Sequence, residues 1–165
     1  MVNTALFIGR FQPFHNGHLS VIKGMVKLNE KVFIGIGSSN LHGIPDDPFT
    51  REERREMIQR ALQEENIIPL HDVILVNLPD MEEDTAWAKM CLEVCENQVK
   101  TVWTGNEWTK NSFTGAGVEV KEIKEVPGIS ATEVRRRMKS GEDWKSLVPE
   151  AVADYIREID GTNRV

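Results

Sequence analysis

Short apolar runs alternate along this chain with segments in which apolar residues recur every three or four positions. Residues 5–8 form an apolar run of strand length, and residues 19–26 carry apolar side chains at helical spacing. Further strands are predicted at 32–37, 73–76, 99–104 and 118–123, the last alternating and more exposed. Further helices are predicted at about 51–65, 84–97, 131–139 and 149–159.

Strands and helices that alternate in this order favour a parallel sheet with helices on both faces. We therefore predict an α/β fold: a Rossmann-like, doubly wound parallel sheet of about five strands. The 165 residues contain no internal repeat, low-complexity segment or linker, so one domain over 1–165 is expected. Because ligands bind at the carboxyl ends of such strands, the loops after the strands are the candidate site.

Three of the predicted helices carry signals at their ends. Threonine and glutamate at 50 and 53, and serine and glutamate at 130 and 133, form capping-box sequences. Gly141 stands where a helix commonly ends, and Pro149 suits the first position of the last helix.

Composition narrows the class of protein. Apolar residues make up 40% and charged residues 28%, as in an ordinary globular protein, and no apolar run reaches the length of a membrane helix. The first four residues lack the basic start of a signal peptide, which predicts a cytoplasmic location and no membrane partner. Cys91 and Cys95 lie at helical spacing and are expected to be reduced thiols.

The net charge of −6 argues against general binding of nucleic acid, which needs a basic surface. It leaves room for a small polyanion held by a local basic cluster. Positive charge is concentrated at residues 51–60 and 135–139.

The candidate chemistry centres on the turn at residues 9–18, which joins the first strand to the first helix. Arg10, His15, Gly17 and His18 stand together there, and the chain holds only four histidines. A helix that starts near His18 would present free backbone N–H groups to an anion, so the turn predicts a site for phosphate oxygens. A purely structural turn and a zinc site remain alternatives, although zinc usually needs three or four ligands and no third one is near.

Other residues have both a structural and a functional interpretation. Arg54 lies in the first turns of a helix, where an anion would offset its unfavourable interaction with the helix dipole. Trp87 is either a core residue or a platform for a ligand. The loop that holds His42 is irregular, and its relation to the site stays open.

These residues resemble the nucleotidylyltransferase superfamily, whose HxGH signature reads His15-Asn16-Gly17-His18 here. The closer resemblance, over almost the whole chain, is to the archaeal-type nicotinamide-nucleotide adenylyltransferase family. The matching pieces are Gly9-Arg10-Phe11-Gln12-Pro13-Phe14-His15, Gly37-Ser38-Ser39, Asp47-Pro48-Phe49-Thr50 with Glu53-Arg54, Pro79-Asp80 with Trp87, Thr104-Gly105-Asn106, and Ile129-Ser130-Ala131-Thr132-Glu133-Val134-Arg135-Arg136-Arg137-Met138.

The resemblance implies an enzyme that joins ATP and nicotinamide mononucleotide into NAD and pyrophosphate, with Mg²⁺ bound to the ATP phosphates. It assigns catalysis to His15, His18 and Arg135. It assigns ATP binding to Gly9, Arg10, Phe11, Gly17, Arg54, Gly105, Asn106, Ile129, Ser130 and Thr132. It assigns the nicotinamide nucleotide to Ser38, Ser39, Asp80, Asp84 and Trp87. It also implies a homo-oligomer, with a hexamer as one form.

The residue types agree with that chemistry. The attacking phosphate is already ionised at neutral pH and needs neither a general base nor a covalent enzyme intermediate. Catalysis can then consist of positioning and of stabilising charge on the α-phosphate and the pyrophosphate leaving group.

Two departures from the family pattern matter. The family often has Thr-Ala-Gly-Glu-Arg where this chain has Thr50-Arg51-Glu52-Glu53-Arg54, and often asparagine in place of Asp84. Asp84 either caps its helix or faces the pocket. In the pocket its carboxylate would accept a hydrogen bond from a carboxamide and repel a nicotinate, so we then expect a preference for the amide nucleotide.

Two other functions remain as alternatives. One is an adenylyl- or cytidylyltransferase of the same superfamily that acts on phosphopantetheine, FMN or a polyol phosphate. The other is a catalytically silent nucleotide-binding regulator. A fragment of an aminoacyl-tRNA synthetase is disfavoured, because the chain is too short and too acidic to bind tRNA.

Overall fold

The computed structural model describes residues 3–165, and they form one parallel five-stranded sheet in the order β3-β2-β1-β4-β5. The strands are β1 (Thr4–Gly9), β2 (Lys31–Gly37), β3 (Asp72–Leu78), β4 (Thr101–Thr104) and β5 (Glu119–Glu122). The predicted parallel sheet is therefore confirmed. The strand order reverses between β1 and β4, since the chain builds β2 and β3 on one side of β1 before it crosses to the other.

Seven helices accompany the described strands, with two short 3₁₀ turns at Lys145–Leu147 and Gly161–Arg164. The helices are α1 (Asn16–Leu28), α2 (Arg51–Glu64), α3 (Ile67–Leu70), α4 (Asp84–Val94), α5 (Glu107–Ser112), α6 (Ala131–Ser140) and α7 (Glu150–Glu158). The short helices α3 and α5 were not predicted from the sequence. One is four and the other six residues long, too short for a helical repeat of apolar residues to be recognised.

Alternate side chains of β1 enter two different cores. Ala5 and Phe7 pack with residues of α1, α2 and α7 on one face of the sheet. Leu6 and Ile8 pack with residues of α4 on the other face. The sheet is thus covered on both faces, as the doubly wound arrangement requires.

Several predicted boundaries need correction. Helix α4 ends at Val94 instead of 97, because Glu96 and Asn97 take positive φ angles of 58° and 55°. Strand β4 begins at Thr101 instead of 99. Pro149 is the N-cap of α7, one position earlier than predicted.

Of the two predicted capping boxes, one forms completely and the other only in part. The Thr50 hydroxyl accepts from the Glu53 N–H while the Glu53 carboxylate accepts from the Thr50 N–H, a complete capping box. At α6 only half of the predicted box forms. The Ser130 hydroxyl accepts from the Glu133 N–H, but the Glu133 carboxylate pairs with Arg136 and Arg137.

Both cysteines are buried free thiols, as predicted, and burial raises the pKa of each to about 12. No helix within residues 3–165 has the length and apolar character needed to cross a membrane. The expectation drawn from the first four residues lies partly outside the described range, which begins at residue 3.

Candidate active site

A cavity of about 640 Å³ opens at the carboxyl ends of β1 and β4, where the strand order reverses. This is the position at which open α/β sheets bind ligands. The turn after β1, the start of α1, the segment after β4, the segment after β5 and the start of α6 surround it. The predicted site residues that line it are Gly9, Arg10, His15, Gly17, His18, Gly105, Asn106, Ile129, Ser130, Thr132 and Arg135.

The two histidines of the turn form a reciprocal cap on α1. His15 is the N-cap, and its Nδ1 accepts from the N–H of Gly17 at 3.0 Å and of His18 at 3.3 Å. The Nδ1 of His18 accepts from the His15 N–H at 3.1 Å. The two rings stack with centroids 3.5 Å apart. Gly17 is required here, because a Cβ at that position would stand 2.8 Å from Cε1 of His15.

This geometry sets the protonation of both rings. Burial lowers the pKa of His15 to about 4, and burial together with the neighbouring His15 holds the pKa of His18 well below its ordinary range. Both rings are therefore neutral at pH 7. Because each Nδ1 accepts a backbone hydrogen bond, the single ring proton of each is on Nε2. Near pH 7 the pair therefore presents two hydrogen-bond donors that are weak bases.

One expectation about the helix start is wrong. The sequence suggested that the N–H groups near His18 would be free to bind an anion. Helix α1 begins two residues earlier, at Asn16, and the N–H groups of Gly17 and His18 donate to His15. At this helix start the donors left for a ligand are therefore the ring Nε2–H groups and not the N–H groups of Gly17 and His18. The zinc alternative also loses support, since residues 3–165 contain no group of three or more potential metal ligands from His, Cys, Asp and Glu.

Phe11 lies behind the histidines and not on the cavity wall. It is 1% exposed, and its ring meets the His18 ring edge-on at 4.7 Å. The same ring covers Gly9, where a Cβ would approach it to 3.0 Å. Phe11 thus supports the cavity from beneath.

Two arginines line the cavity. Arg10 is exposed and pairs with the buried carboxylate of Asp47 at 3.4 Å. Arg135 extends from α6, donating from Nη1 to the Gln12 carbonyl at 2.7 Å and from Nη2 to the Thr132 hydroxyl at 3.4 Å. Both guanidiniums keep further N–H donors, since each group carries five.

Asn106 lines the cavity and also caps a helix. Its Oδ1 accepts from the Thr109 N–H at 3.0 Å, which makes it the N-cap of α5. Gly105 beside it is exposed and leaves the backbone open to the cavity.

The structure places Arg54 differently from the prediction. Its side chain is 0% exposed, and it is not among the residues that line the cavity. All three guanidinium nitrogens donate to backbone carbonyls, with acceptors at Thr50, Arg10, Gly37, Ser38, Ser39 and Leu41. Burial lowers its pKa to about 10, so it stays charged at pH 7. Arg54 ties the ends of β1 and β2 together, and all three of its guanidinium nitrogens are engaged with backbone instead of the cavity.

The residues expected to bind the nicotinamide nucleotide fall into two groups. Ser38, Ser39 and Asp80 meet at the carboxyl ends of β2 and β3, where the Ser38 hydroxyl donates to the Asp80 carboxylate at 2.9 Å. Ser39 is 2% exposed, and its hydroxyl has no hydrogen-bond partner among residues 3–165. None of the three lines the large cavity.

Trp87 and Asp84 form the second group, on α4. Trp87 is 4% exposed and packs against Trp108 at 4.9 Å and Phe113 at 5.8 Å. Its indole N–H is buried and unpaired within the described part of the chain. Asp84 is exposed in the first turn, and its carboxylate accepts from the Thr85 hydroxyl. The cap of α4 is Glu83 instead, whose side chain accepts from Thr85 and Ala86 N–H groups.

The sequence interpretation missed several residues of the cavity wall. Gln12 and Asp46 lie on it, as do Lys124, Glu125 and Val126 just after β5. The signal for the last three is their position after the carboxyl end of the fifth strand, where ligands bind in such sheets.

Comparison with known proteins agrees with this geometry. Residues 6–137 match the protein family described as cytidylyltransferase-like. Nicotinamide-nucleotide adenylyltransferase of Thermococcus kodakarensis is 40% identical over 172 residues, which cover 100% of this chain and 88% of that protein.

Solved structures agree as well. A bifunctional NMN adenylyltransferase/ADP ribose pyrophosphatase from Francisella tularensis has a TM-score of 0.81 at 24% identity, over 97% of this chain and 50% of that one. A structure of the same kind of protein, complexed with AMP and an Mn ion, has a TM-score of 0.76 at 25% identity with the same coverage. The sheet order, the histidine pair at its switch point and the full-length match lead to one conclusion: this chain belongs to the nicotinamide-nucleotide adenylyltransferase family.

Proposed function

We propose that this enzyme transfers the adenylyl group of ATP to the 5′-phosphate of nicotinamide mononucleotide, giving NAD and pyrophosphate by direct in-line displacement. The observation that carries the proposal is the cavity between β1 and β4, where the strand order reverses. There the two Nε2–H donors stand in one pocket with Arg10 and Arg135. This is the set of donors that a triphosphate requires.

In this proposal the phosphates of ATP lie along the start of α1. His15 and His18 donate from Nε2 to phosphate oxygens, and Arg135 holds the β- and γ-phosphates. Ser130 and Thr132 assist at the start of α6, whose positive dipole end favours an anion. The adenosine part binds along the remaining wall, at Gly9, Gly17, Gly105, Asn106 and Ile129.

The protonation of the histidines favours stabilisation over acid–base catalysis. Each Nδ1 accepts a backbone hydrogen bond and each Nε2 carries the ring proton, and the lowered pKa of both rings makes them weak bases near pH 7. The nucleophile needs no base, because a phosphate monoester is ionised at pH 7. The histidines and arginines instead neutralise the charge that builds on the α-phosphate and on the departing pyrophosphate.

We further propose that Mg²⁺ accompanies ATP. The donor set fits a cation carried on substrate phosphates: no cage of three or more such ligands exists within residues 3–165, and Asp46 and Glu125 supply carboxylates on the cavity wall. Magnesium usually keeps several waters and binds through one or two carboxylates and substrate phosphates. When bound it neutralises phosphate charge. The Mn ion in the Francisella tularensis complex supports a divalent cation in this family.

The nicotinamide nucleotide is proposed to bind at the ends of β2 and β3, with Ser38, Ser39 and Asp80 as polar contacts. The Ser39 hydroxyl and the Trp87 indole N–H are unpaired within residues 3–165 and inaccessible, so a ligand satisfies them only after neighbouring side chains move. Trp87 would then stack on the pyridinium ring. Asp84 would favour the amide over the acid nucleotide.

We also propose that residues 1–165 fold as a single domain, that the reaction takes place in the cytoplasm, and that the chain forms a homo-oligomer. Light scattering on the purified protein in solution tests the last point, because a mass equal to one chain would contradict it.

The deciding experiment mixes the purified protein with ATP, Mg²⁺ and one acceptor at a time. The acceptors are nicotinamide mononucleotide, nicotinic acid mononucleotide, phosphopantetheine and FMN. Pyrophosphate release with formation of NAD is expected with the first. Release only with phosphopantetheine or FMN would replace the proposed acceptor while keeping the phosphate site, and no release with any acceptor would indicate a silent nucleotide-binding protein.

A further inference from the structure

Gln12 is a buried polar residue in the turn after β1. It is 1% exposed, and its carboxamide forms two hydrogen bonds with the backbone of a single distant residue. Nε2 donates to the Phe49 carbonyl at 3.0 Å, while Oε1 accepts from the Phe49 N–H at 2.9 Å. The side chain thus pairs with the segment before α2 as a neighbouring strand would.

This pairing sets the register between two segments. Gln12 and Phe49 are 37 residues apart, and so are Arg10 and Asp47, whose side chains form the ion pair at the cavity. The same spacing means that the two segments run side by side in the same direction. Asp47 therefore reaches Arg10 because Phe49 is held at Gln12.

The backbone of Gln12 makes a third connection. Its carbonyl accepts from Nη1 of Arg135 at 2.7 Å, across 123 residues of sequence. One residue consequently joins the β1–α1 turn, the segment before α2 and helix α6. Arg135 contacts Gln12 itself, and Arg10 contacts Asp47, which lies two residues before the Phe49 that Gln12 holds.

We propose that Gln12 is a positioning residue for adenylyl transfer: its carboxamide aligns Arg10 for the phosphates of ATP through the segment of Asp47 and Phe49, while its backbone carbonyl holds Arg135. The inference rests on the proposed function and adds to it a residue that acts on ATP by positioning another residue. A shift of about 1 Å in such a pair is enough to cost a hundredfold in rate. Loss of the carboxamide therefore acts on ATP through Arg10 and leaves the nicotinamide nucleotide unaffected, since Ser38, Ser39 and Asp80 form no hydrogen bond with Gln12.

The test compares Gln12→Met with Gln63→Met, which makes the same change on the exposed face of α2. Calorimetric titration with ATP and steady-state kinetics are measured on both. For Gln12→Met we expect Kd and KM for ATP to rise about tenfold, with KM for nicotinamide mononucleotide within about twofold of wild type. Gln63→Met is expected to match wild type.

A double-mutant cycle with Arg10→Ala separates positioning from stability. If Gln12 acts through Arg10, the two changes together weaken ATP binding by clearly less than the product of their separate factors. Multiplicative effects would overturn the proposal, as would an unchanged Kd for ATP.

Gln12→Glu serves where Gln12→Met does not fold. It keeps the acceptor for the Phe49 N–H but replaces the donor by a carboxylate oxygen that faces and repels the Phe49 carbonyl, so the pairing is lost and ATP binding should again weaken; an unchanged Kd there would also reject the proposal. Failure of the proposed function is recognised independently, because wild type would then bind ATP without forming NAD.

Discussion

Two nitrogen-rich clusters lie at the same edge of the sheet and differ in what their donors contact. The histidine turn (residues 9–18) directs its Nδ1 atoms to its own backbone and leaves both Nε2–H groups at the cavity. The Arg54 centre (Arg54 with its six carbonyl partners) directs every guanidinium nitrogen to backbone. Both clusters were predicted to bind ATP, and only the first retains donors for it.

The difference teaches that a residue's chemistry does not decide its role until its partners are known. A histidine has two ring nitrogens, so one can cap a helix while the other faces a ligand. In Arg54 all three guanidinium nitrogens donate to backbone carbonyls, so none is left to face a ligand. The Arg54 centre therefore belongs to the scaffold that holds the histidine turn, since one of its acceptors is the carbonyl of Arg10.

Arg54→Met tests the scaffold side of this comparison and should have the largest effect. Removal of the guanidinium leaves several buried carbonyls without partners, so we expect a loss of on the order of 4 kcal/mol in the free energy of unfolding. Urea unfolding measures it, with the exposed Arg51→Met as control. A normal unfolding free energy combined with weak ATP binding would restore Arg54 as a ligand contact.

His18→Ala tests the catalytic side. The loss of the Nε2–H donor should lower kcat at least a hundredfold, on the order of 3 kcal/mol in the barrier, while ATP still binds. Single-turnover kinetics and ATP titration measure the two quantities, and exposed His42→Ala is the control. A near-normal kcat would show that the histidine turn, like the Arg54 centre, has only a structural role.

The pH dependence of stability sharpens the comparison, because the histidine turn should titrate where the Arg54 centre does not. His15 has a pKa of about 4 in the fold against its ordinary 6.5. Between these values the unfolded chain binds a proton that the folded one does not, so acidification favours unfolding. From pH 7 to pH 5 this should remove about 2 kcal/mol.

His15→Asn is the matched variant for that measurement, since asparagine also caps helices and does not titrate. Its unfolding free energy should fall less steeply over the same pH interval. Equal slopes for the variant and wild type would mean that His15 is not held neutral by the fold.

Trp87→Leu should have the smallest effect, on the nicotinamide side. Loss of the cation–π contact with the pyridinium ring, about 1 kcal/mol, should raise KM for nicotinamide mononucleotide roughly fivefold and leave KM for ATP unchanged. Phe113→Leu is the control, because Phe113 packs against Trp87 in the same core. If both variants change KM alike, Trp87 is a core residue only.

The sequence by itself determined the class of fold and the location of the histidine turn. Strand-length apolar runs separated by helical repeats favour a covered parallel sheet, and the parallel sheet in the order β3-β2-β1-β4-β5 confirms it. Local signals were equally informative where the partners are local: the capping box of Thr50 and Glu53 lies within four residues and forms as predicted.

Tertiary structure alone decided which donors are free. Arg54 meets Arg10 across 44 residues, Gln12 meets Phe49 across 37, and Arg135 meets Gln12 across 123. No periodicity or motif spacing encodes such pairs, because each depends on where separate turns arrive at one edge of the sheet. The physical reason is that a buried polar group must find its partners wherever the fold brings them, whereas helices and strands satisfy theirs nearby.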